Sequence, residues 1–387
     1  MSIFSGCGGL DLGFLQEGIF SERAIDIDEM ALATYRHNLS DVAVKADLST
    51  IVPVHEGCEI LLAGAPCQGF STAGKRKVDD PRNDLLMRVA DVALKNQSKV
   101  VVVENVPAAL SGSHRHLWES LEGRLRSAGY NVRRILIEGE KSSMAQRRKR
   151  LFLLCWKGSD CINVFIPSSG PITLRDALRK LPDENKKDIV WPELGSRDSK
   201  IAAHLKQGQK LSNVRLSERA VPTWEIPEVF GQVSQQEKEV LYAVARLRRR
   251  ERIRSFGDGD PVSLERLDTY LDASTGVTAE TLVKARYLRK IDGKYELAQT
   301  YNGRYRRLSW NELSPTVDTR FGRVDLFVHP DEDRGMTQRE AARIQGFPDS
   351  FSFCGNRKDQ FVQIGNAVPP PMAAKLADFI REAILKA

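Results

Sequence analysis

The sequence predicts a doubly wound α/β domain interrupted by a smaller, basic insertion. Three observations lead there. Short continuous apolar runs recur through the first ~165 residues, with amphipathic stretches between them. Such runs read as strands buried on both faces, as in a parallel sheet. After Pro171 the buried-strand runs thin out and charges multiply, and from about residue 306 the α/β character returns. A domain that stops and later resumes is one domain carrying an insertion. The organisation is therefore 1–179, a main domain; 180–305, an inserted domain; and 306–387, the return of the main domain.

Each element follows from its local pattern. Ile3-Phe4 opens onto a Gly-rich turn, and Ala24-Ile25 runs into acidic residues. Residues 59–63 end at Gly64, 99–103 are a β-branched run, and 134–137 and 151–156 complete the series. Between two of these runs Leu85, Leu86, Val89, Val92 and Ala93 recur at helical spacing, so a crossover of fixed hand joins parallel strands. In the insertion, 235–247 places Val240, Leu241, Val244 and Leu247 on one stripe. Helices are also predicted over 263–271, from a Ser cap, and over 278–288, from a Thr cap. Asp292-Gly293 then turns a hairpin between 288–291 and 294–297. Three helices and a hairpin at 235–297 have the composition of a winged helix; a helical insertion with a solvated basic face stands beside that reading. In the returning segment, 337–344 and 369–385 read as helices, the second with prolines in its first turn.

Composition narrows the function classes. The chain of 387 residues suits two or three domains and is 41% hydrophobic and 28% charged. No apolar run approaches the roughly 18 residues of a membrane span, and no basic segment followed by an apolar one opens the chain. Cys7, Cys58, Cys67, Cys155, Cys161 and Cys354 are scattered without CxxC pairs. That spacing argues against a zinc site and a disulfide framework, and fits a reducing cytoplasm. A net charge of +7 and a pI of about 9.0 suggest a polyanionic partner.

The chemistry gathers at the ends of the apolar runs. Phe4-Ser5-Gly6-Cys7-Gly8-Gly9 follows the first strand and precedes a helical stretch; glycines there let backbone approach a ligand. Asp26-Ile27-Asp28 ends the second strand, where an acid can hydrogen-bond a ribose. Asp47-Leu48 comes next. These glycines do not match GxGxxG, so a dinucleotide is not the natural ligand. Each aspartate also reads as a solvated loop residue or a helix cap.

In Gly64-Ala65-Pro66-Cys67-Gln68-Gly69-Phe70-Ser71, the cysteine follows a proline and precedes a polar loop suited to closing over a substrate. Alone, Cys67 reads as a buried structural thiol. Glu104 ends the most apolar run of the chain, in Val102-Val103-Glu104-Asn105-Val106. Burial raises a carboxyl pKa towards neutrality, and adjacent parallel strands bring Cys67 and Glu104 to one sheet edge. Gln146-Arg147-Arg148-Lys149-Arg150 precedes the last strand; alternation aims Arg148 and Arg150 to one side, where they can bind an anion or polarise a carbonyl. The densest basic run contains Arg248, Arg249 and Arg250.

In this order the motifs GAPCQGFS, ENV, QRRKR, QREAARIQGFPDSF and QIGNAVPP resemble the DNA cytosine-C5 methyltransferases. The resemblance runs from Ile3 through Trp156 and again from about Arg306 to the end; 180–305 corresponds to the family's variable target-recognition segment. It implies a Rossmann-like S-adenosylmethionine-dependent methyltransferase domain that needs no metal and releases S-adenosylhomocysteine. By this resemblance Phe4, Ser5, Gly6, Gly8, Gly9, Asp26, Ile27, Asp47, Leu48, Pro66, Leu85 and Asn366 contact the cofactor. Cys67 is the nucleophile towards C6 of a flipped cytosine, Glu104 the donor to N3, Arg148 the group polarising O2, and Arg150 the residue positioning the Cys67 loop. Gln68, Ser71, Asn105 and Arg248, Arg249 and Arg250 are assigned to DNA. The implied partner is duplex DNA, with a cognate restriction or defence system in a microbial, nucleoid-associated setting; family members mostly act as monomers. Two departures stand out: the first strand is shorter than the family's, and Ile27 replaces an aromatic that some members carry. Relatives acting on tRNA carry a Cys-Phe-Thr signature in the recognition segment, which is absent here. A DNA-binding protein without catalysis is the other alternative, against which Cys67, Glu104 and Arg148 stand.

Overall fold

The structure is a computed structural model that describes residues 1–66, 84–111, 115–158, 163–181, 187–255 and 257–385. The chain divides into two compact units. The first holds Met1–Asn185, Asn311–Phe321 and Gln338–Ala387; the second holds Lys186–Trp310 and Gly322–Thr337. The returning segment is thus itself split: 306–310 and 322–337 pack with the second unit, although the sequence pattern places them with the main domain.

The first unit is built on β1 (Ser2–Ile3), α1 (Gly9–Gln16), β2 (Ala24–Asp26), α2 (Glu29–Asn38), β3 (Ala43–Lys45), β4 (Ile60–Ala63), α3 (Asp84–Lys95), β5 (Val100–Asn105), α4 (Arg115–Ser127), β6 (Asn131–Glu138), β7 (Lys149–Trp156) and the short α5 (Leu174–Leu178). Among the described residues, seven strands form one sheet in the order β3-β2-β1-β4-β5-β7-β6. The sheet is mixed rather than wholly parallel. β1 to β5 pair in parallel, and β7 runs antiparallel to both β5 and β6. The reason lies in the connections: β6 and β7 follow one another through a short excursion, and no crossover of the length a parallel pair requires separates them.

Alternation along the strands fills two cores. Leu61, Ala63, Val101, Val103, Leu151 and Leu153 meet α3 and α4 on one face. Leu62, Val100, Val102, Phe152 and Leu154 meet α1 and the last helix on the other. Fully burying each such side chain contributes roughly 1.5–3 kcal/mol, so the central strands are the most secure part of the sheet. β3 escaped the sequence pattern because it is a three-residue edge strand of which only Ala43 is buried.

The second unit contains α6 (Arg197–His204), α7 (Pro227–Phe230), α8 (Gln235–Arg250), α9 (Leu264–Leu271) and α10 (Gly276–Lys284). Its two-stranded pairs are β8 (Lys210–Leu211) with β9 (Ala220–Val221), β10 (Leu288–Ile291) with β11 (Lys294–Leu297), and β12 (Arg306–Arg307) with β13 (Phe327–Val328). α8 starts at a reciprocal capping box between Ser234 and Glu237. The hairpin turn uses left-handed backbone at Asp292 (φ 48°) and Gly293 (φ 75°), the geometry of a tight hairpin turn. α10 begins at Gly276 and ends at Lys284, not at 278 and 288. The Thr275 hydroxyl donates to Asp268 at 2.7 Å rather than capping its own helix. Arg286, at φ 61°, then breaks the helix before β10.

Arg248 departs from its assignment to DNA. It is buried in the second unit, and its guanidinium grips the Glu296 carboxylate twice, at 2.7 and 3.3 Å. Gly259 packs so closely that a Cβ would lie 2.4 Å from the Arg248 carbonyl oxygen. Arg249 and Arg250 remain exposed.

The first unit closes with α11 (Gln338–Ile344), α12 (Arg357–Asn366) and α13 (Pro370–Ile380), the last running on into a π turn at Arg381–Leu385. Gly365-Asn366 ends α12. A Cβ on Gly365 would meet the Thr319 backbone nitrogen at 2.4 Å, so glycine is required by close approach.

Removing one partner of the buried pair strands the other charge. Glu296→Ala is expected to cost about 3–5 kcal/mol of unfolding free energy, and Arg249→Ala less than about 0.5 kcal/mol. Denaturant unfolding of the full chain measures both; equal small costs would remove Arg248 from the core argument.

Candidate active site

The register of β1, β2, β4 and β5 sets the site at the carboxyl edge of the sheet. Ile3 lies opposite Ile25 and Ala63, and Ala63 lies opposite Val103. Phe4, Asp26, Gly64 and Glu104 therefore come level with one another. Gly64 packs so that a Cβ would fall 2.9 Å from the Phe4 carbonyl oxygen.

The turn after β1 is held from both sides. The Ser5 amide donates to Ile25 O at 3.1 Å, and the Gly6 amide donates to Asp26 Oδ2 at 2.8 Å. The other Asp26 oxygen accepts from the Asp28 amide at 2.9 Å. Burial pushes the Asp26 carboxyl up, and these backbone donors pull it back part of the way. Asp28 caps α2 through the amides of Met30 and Ala31. Gly6 adopts φ 54°, and beyond its chain neighbours no atom of the described residues lies within 4 Å of where its Cβ would stand. Gly8 and Gly9 are tight instead: a Cβ would meet Leu39 at 2.4 Å or Val368 O at 2.4 Å. Ser5 Oγ is buried and, among the described residues, has no hydrogen-bond partner. An open glycine, an unsatisfied hydroxyl and an aspartate at the next strand end suit a polar ligand with a diol.

Ile27 stands 61% exposed beside Asp26, where a flat ring could cover it. Asp47 sits in an exposed turn whose Ser49 hydrogen bonds hold its carboxyl below the usual range, and Leu48 is buried in the core. Leu85 lies in α3, half-buried. Pro66 is the last described residue before 67–83. Asn366 is exposed at the end of α12.

Glu104 is buried, and Arg150 Nε lies 2.6 Å from its Oε1. Burial raises the Glu104 carboxyl; Arg150 and Arg148 oppose that rise without cancelling it. Because its folded value lies above the unfolded one, Glu104 favours folding while protonated and weighs against it as pH rises through that value.

Arg148 is placed differently from Arg150. Its guanidinium donates to Val317 O at 2.8 Å, Gly365 O at 3.0 Å and Ala367 O at 2.9 Å. Gln146 is buried beside it and bonds Ile344 O, Gln345 Oε1 and the Val317 amide. Residues 314–317 are thereby sewn to the start of β7, with Arg147 N donating to Ser314 O at 2.9 Å. This irregular segment carries no periodic signal, and sequence reasoning missed it.

The comparisons with known proteins decide the family. The model of the C-5 cytosine-specific DNA methylases matches residues 1–382. The chain belongs to that family. Type II methyltransferase M.AgeI of Thalassovita gelatinovora is 28% identical, over 99% of both chains. Type II methyltransferase M.XorII of Xanthomonas oryzae pv. oryzae is 28% identical, over 100% of this chain and 85% of its own length. Among solved structures, one assigned to a DNA modification methyltransferase of an E. coli prophage superposes with a TM-score of 0.60 at 22% identity, covering 99% and 98% of the two chains. The S. pombe Dnmt2 methyltransferase gives 0.54 at 15% identity, covering 98% and 97%. At these identities the structures support the α/β Rossmann-like fold alone.

Cys67 lies outside the described residues, as do Gln68 and Ser71. Two of the described cysteines are poor nucleophiles, since burial pushes the Cys7 thiol up to about 12 and raises Cys155 as well. Asn105 is not available to DNA as assigned; it is fully buried, and its side-chain oxygen accepts from the Val106 amide at 2.8 Å. Among the described residues no helix of this methylase is long and apolar enough to cross a membrane.

Exchanging the two arginines in turn separates their duties. Arg148→Ala is expected to cost about 3 kcal/mol or more of stability, because three buried carbonyls lose a charged donor. Arg150→Ala is expected to raise Glu104 further and cut methyl transfer by at least about tenfold, with a smaller loss of stability. Thermal unfolding and turnover of both variants check this; the reverse ranking would sink it.

Proposed function

We propose that this protein methylates C5 of a flipped-out cytosine within a specific duplex DNA sequence, using S-adenosylmethionine, as the modification enzyme of a restriction-modification or other defence system. The observation that carries the reading is the buried Glu104–Arg150 pair at the carboxyl edge, level with Gly64, three residues before Cys67. The Type II names of the relatives support the modification role.

S-adenosylmethionine, when bound, supplies an electrophilic methyl on its sulfonium. The turn Phe4 to Gly9 would hold its methionine part, Asp26 its ribose hydroxyls, and Ile27 with Asp47 and Leu48 its adenine. Cys67 adds as thiolate to C6 and makes C5 enamine-like and nucleophilic. Protonated Glu104 donates to N3 and offsets the charge that develops on the ring. The polarisation of O2 that the sequence assigned to Arg148 falls to Arg150, because the Arg148 guanidinium is committed to backbone carbonyls. After methyl transfer a base removes the C5 proton and Cys67 departs. Such chemistry requires the cytosine outside the stack.

The test is transfer of labelled methyl to mixed-sequence duplex DNA, with tRNA in parallel and mapping of the modified cytosines. Label at C5 within one short sequence is expected, and label in tRNA alone would overturn the substrate. Cys67→Ala is expected to abolish turnover and keep cofactor binding; retained methylation would sink the covalent mechanism. The pH profile should fall on its alkaline side as Glu104 loses its proton. Glu104→Gln should lower the rate by roughly 10²–10⁴ and lose that limb.

A further inference from the structure

We propose that residues 235–297 are a winged helix in which α10 enters the major groove of the DNA and the β10–β11 hairpin lies along the phosphate backbone. The inference rests on the DNA substrate proposed above and names the element that reads it.

The topology carries it first. Along the chain come α8, a strand residue at Val262, α9, α10 and the hairpin. Val262 and Tyr295 exchange both backbone hydrogen bonds at 2.8 Å, so Val262 forms a one-residue antiparallel bridge to β11, at the place of a winged helix's first strand. The α9–α10 connection is a tight turn over residues 272–275. Asp272 takes left-handed backbone at φ 49°, and Asp268 Oδ1 accepts from the Thr275 amide and hydroxyl at 2.7 Å each. Val240, Leu241, Val244 and Leu247 of α8 pack with Leu267, Ala279 and Leu282 in one core. A helix-turn-helix supported by a core helix and a hairpin is the arrangement that presents its second helix to a groove.

The exposed surface carries it second. Ala279 and Leu282 take α10 inward, leaving Val277, Thr281 and Lys284 exposed at helical spacing on the other side. Val277 is 85% exposed, an apolar tip that fits the C5-methyl of a thymine. Thr281 can exchange hydrogen bonds with a base edge, and Lys284 can donate to guanine or phosphate. α10 has nine residues, a length of roughly 13.5 Å, and a helix of about 10–12 Å diameter enters a major groove about 12 Å wide.

Charge is the third argument. Lys284 and Arg286 are exposed at the end of α10, and Arg289 and Lys294 are exposed on the hairpin face turned away from Lys290; no salt bridge engages them among the described residues. Glu280, the acid on α10, is neutralised by Lys290 at 2.6 Å. The surface is thus cationic where a polyanion would lie. The denser run at 246–254 is less suited: Arg248 is buried, and Arg254 pairs with Asp260.

The experiment uses the full chain, duplex binding against salt, and genome-scale mapping of methylated cytosines. The double variant Arg289→Ala with Lys294→Ala is expected to weaken binding to every duplex and lower the log–log salt slope by about 2. Val277→Ser and Thr281→Ala, made separately, are expected to leave that slope unchanged. They should change the set of methylated sites, or reduce transfer at the native site roughly tenfold or more. Wild-type slope and wild-type site preference in all variants would overturn the winged-helix reading while leaving methyl transfer intact. A wild-type chain that binds duplex with a wing-dependent slope yet transfers no methyl would keep the winged helix and overturn the reaction.

Discussion

The antiparallel run of β7 against β5 is the constraint on which the site depends. β5 ends in Glu104 and Asn105, and β7 begins with Lys149-Arg150. Only in an antiparallel pair does the start of one strand meet the end of the other. The register sets Glu104 opposite Phe152 and Asn105 opposite Leu151, which brings the Arg150 side chain onto the Glu104 carboxylate. Were β7 parallel, its arginine would lie at the amino edge, and Glu104 would be a buried carboxyl without a cation. Its protonation would then be governed by desolvation alone. With Arg150 beside it, the carboxyl is raised but opposed. A carboxyl balanced in this way is sensitive to any charge that develops nearby.

A second dependence ties the far end of the chain to this edge. Arg148 draws Val317, Gly365 and Ala367 onto one guanidinium, and Gln146 adds Ile344 and Gln345. Segments separated by more than 160 residues in the chain are closed around two side chains of one motif. Planar, permanently charged arginine suits this role, since its five donors meet several carbonyls at once. The same closure explains Gly365, which must approach the backbone at Asp318-Thr319. The motif leading into β7 thus does two things at a spacing of two residues: Arg148 joins distant segments, and Arg150 meets the Glu104 carboxylate.

Much of this was legible in the sequence, for reasons that differ by element. β4, β5 and β7 are continuous apolar runs, and burial on both faces leaves that signature directly. Glu104 was legible because an acid at the end of Val100-Val101-Val102-Val103 has no ordinary reason to be there. α8 was legible by its stripe and cap. The direction of β7 was not, since periodicity records burial and not polarity of the strand. β3 was too short and too exposed to register, and α12 hides its core contacts among polar residues such as Gln363. The start of α10 was misplaced because Thr278 resembles a cap, whereas the turn is organised by Asp268 through Thr275.

Buried arginine is the feature that composition conceals most. Arg148, Arg248 and Arg307 are each at least 96% buried. Arg248 meets Glu296, and Arg307 donates to the carbonyls of Ala202, Leu205 and His329 as well as to Asp333. A count of charges treats these as part of a cationic surface, but the fold uses them as multi-donor hydrogen-bonding groups in low-dielectric surroundings. A run of arginines is therefore a poor locator of a polyanion. What locates one is a cation left exposed beside a surface with no packing role of its own. By that criterion the proposed DNA contact falls on α10 and its hairpin, and within 246–254 Arg248 belongs to the core through Glu296 while Arg254 is neutralised by Asp260.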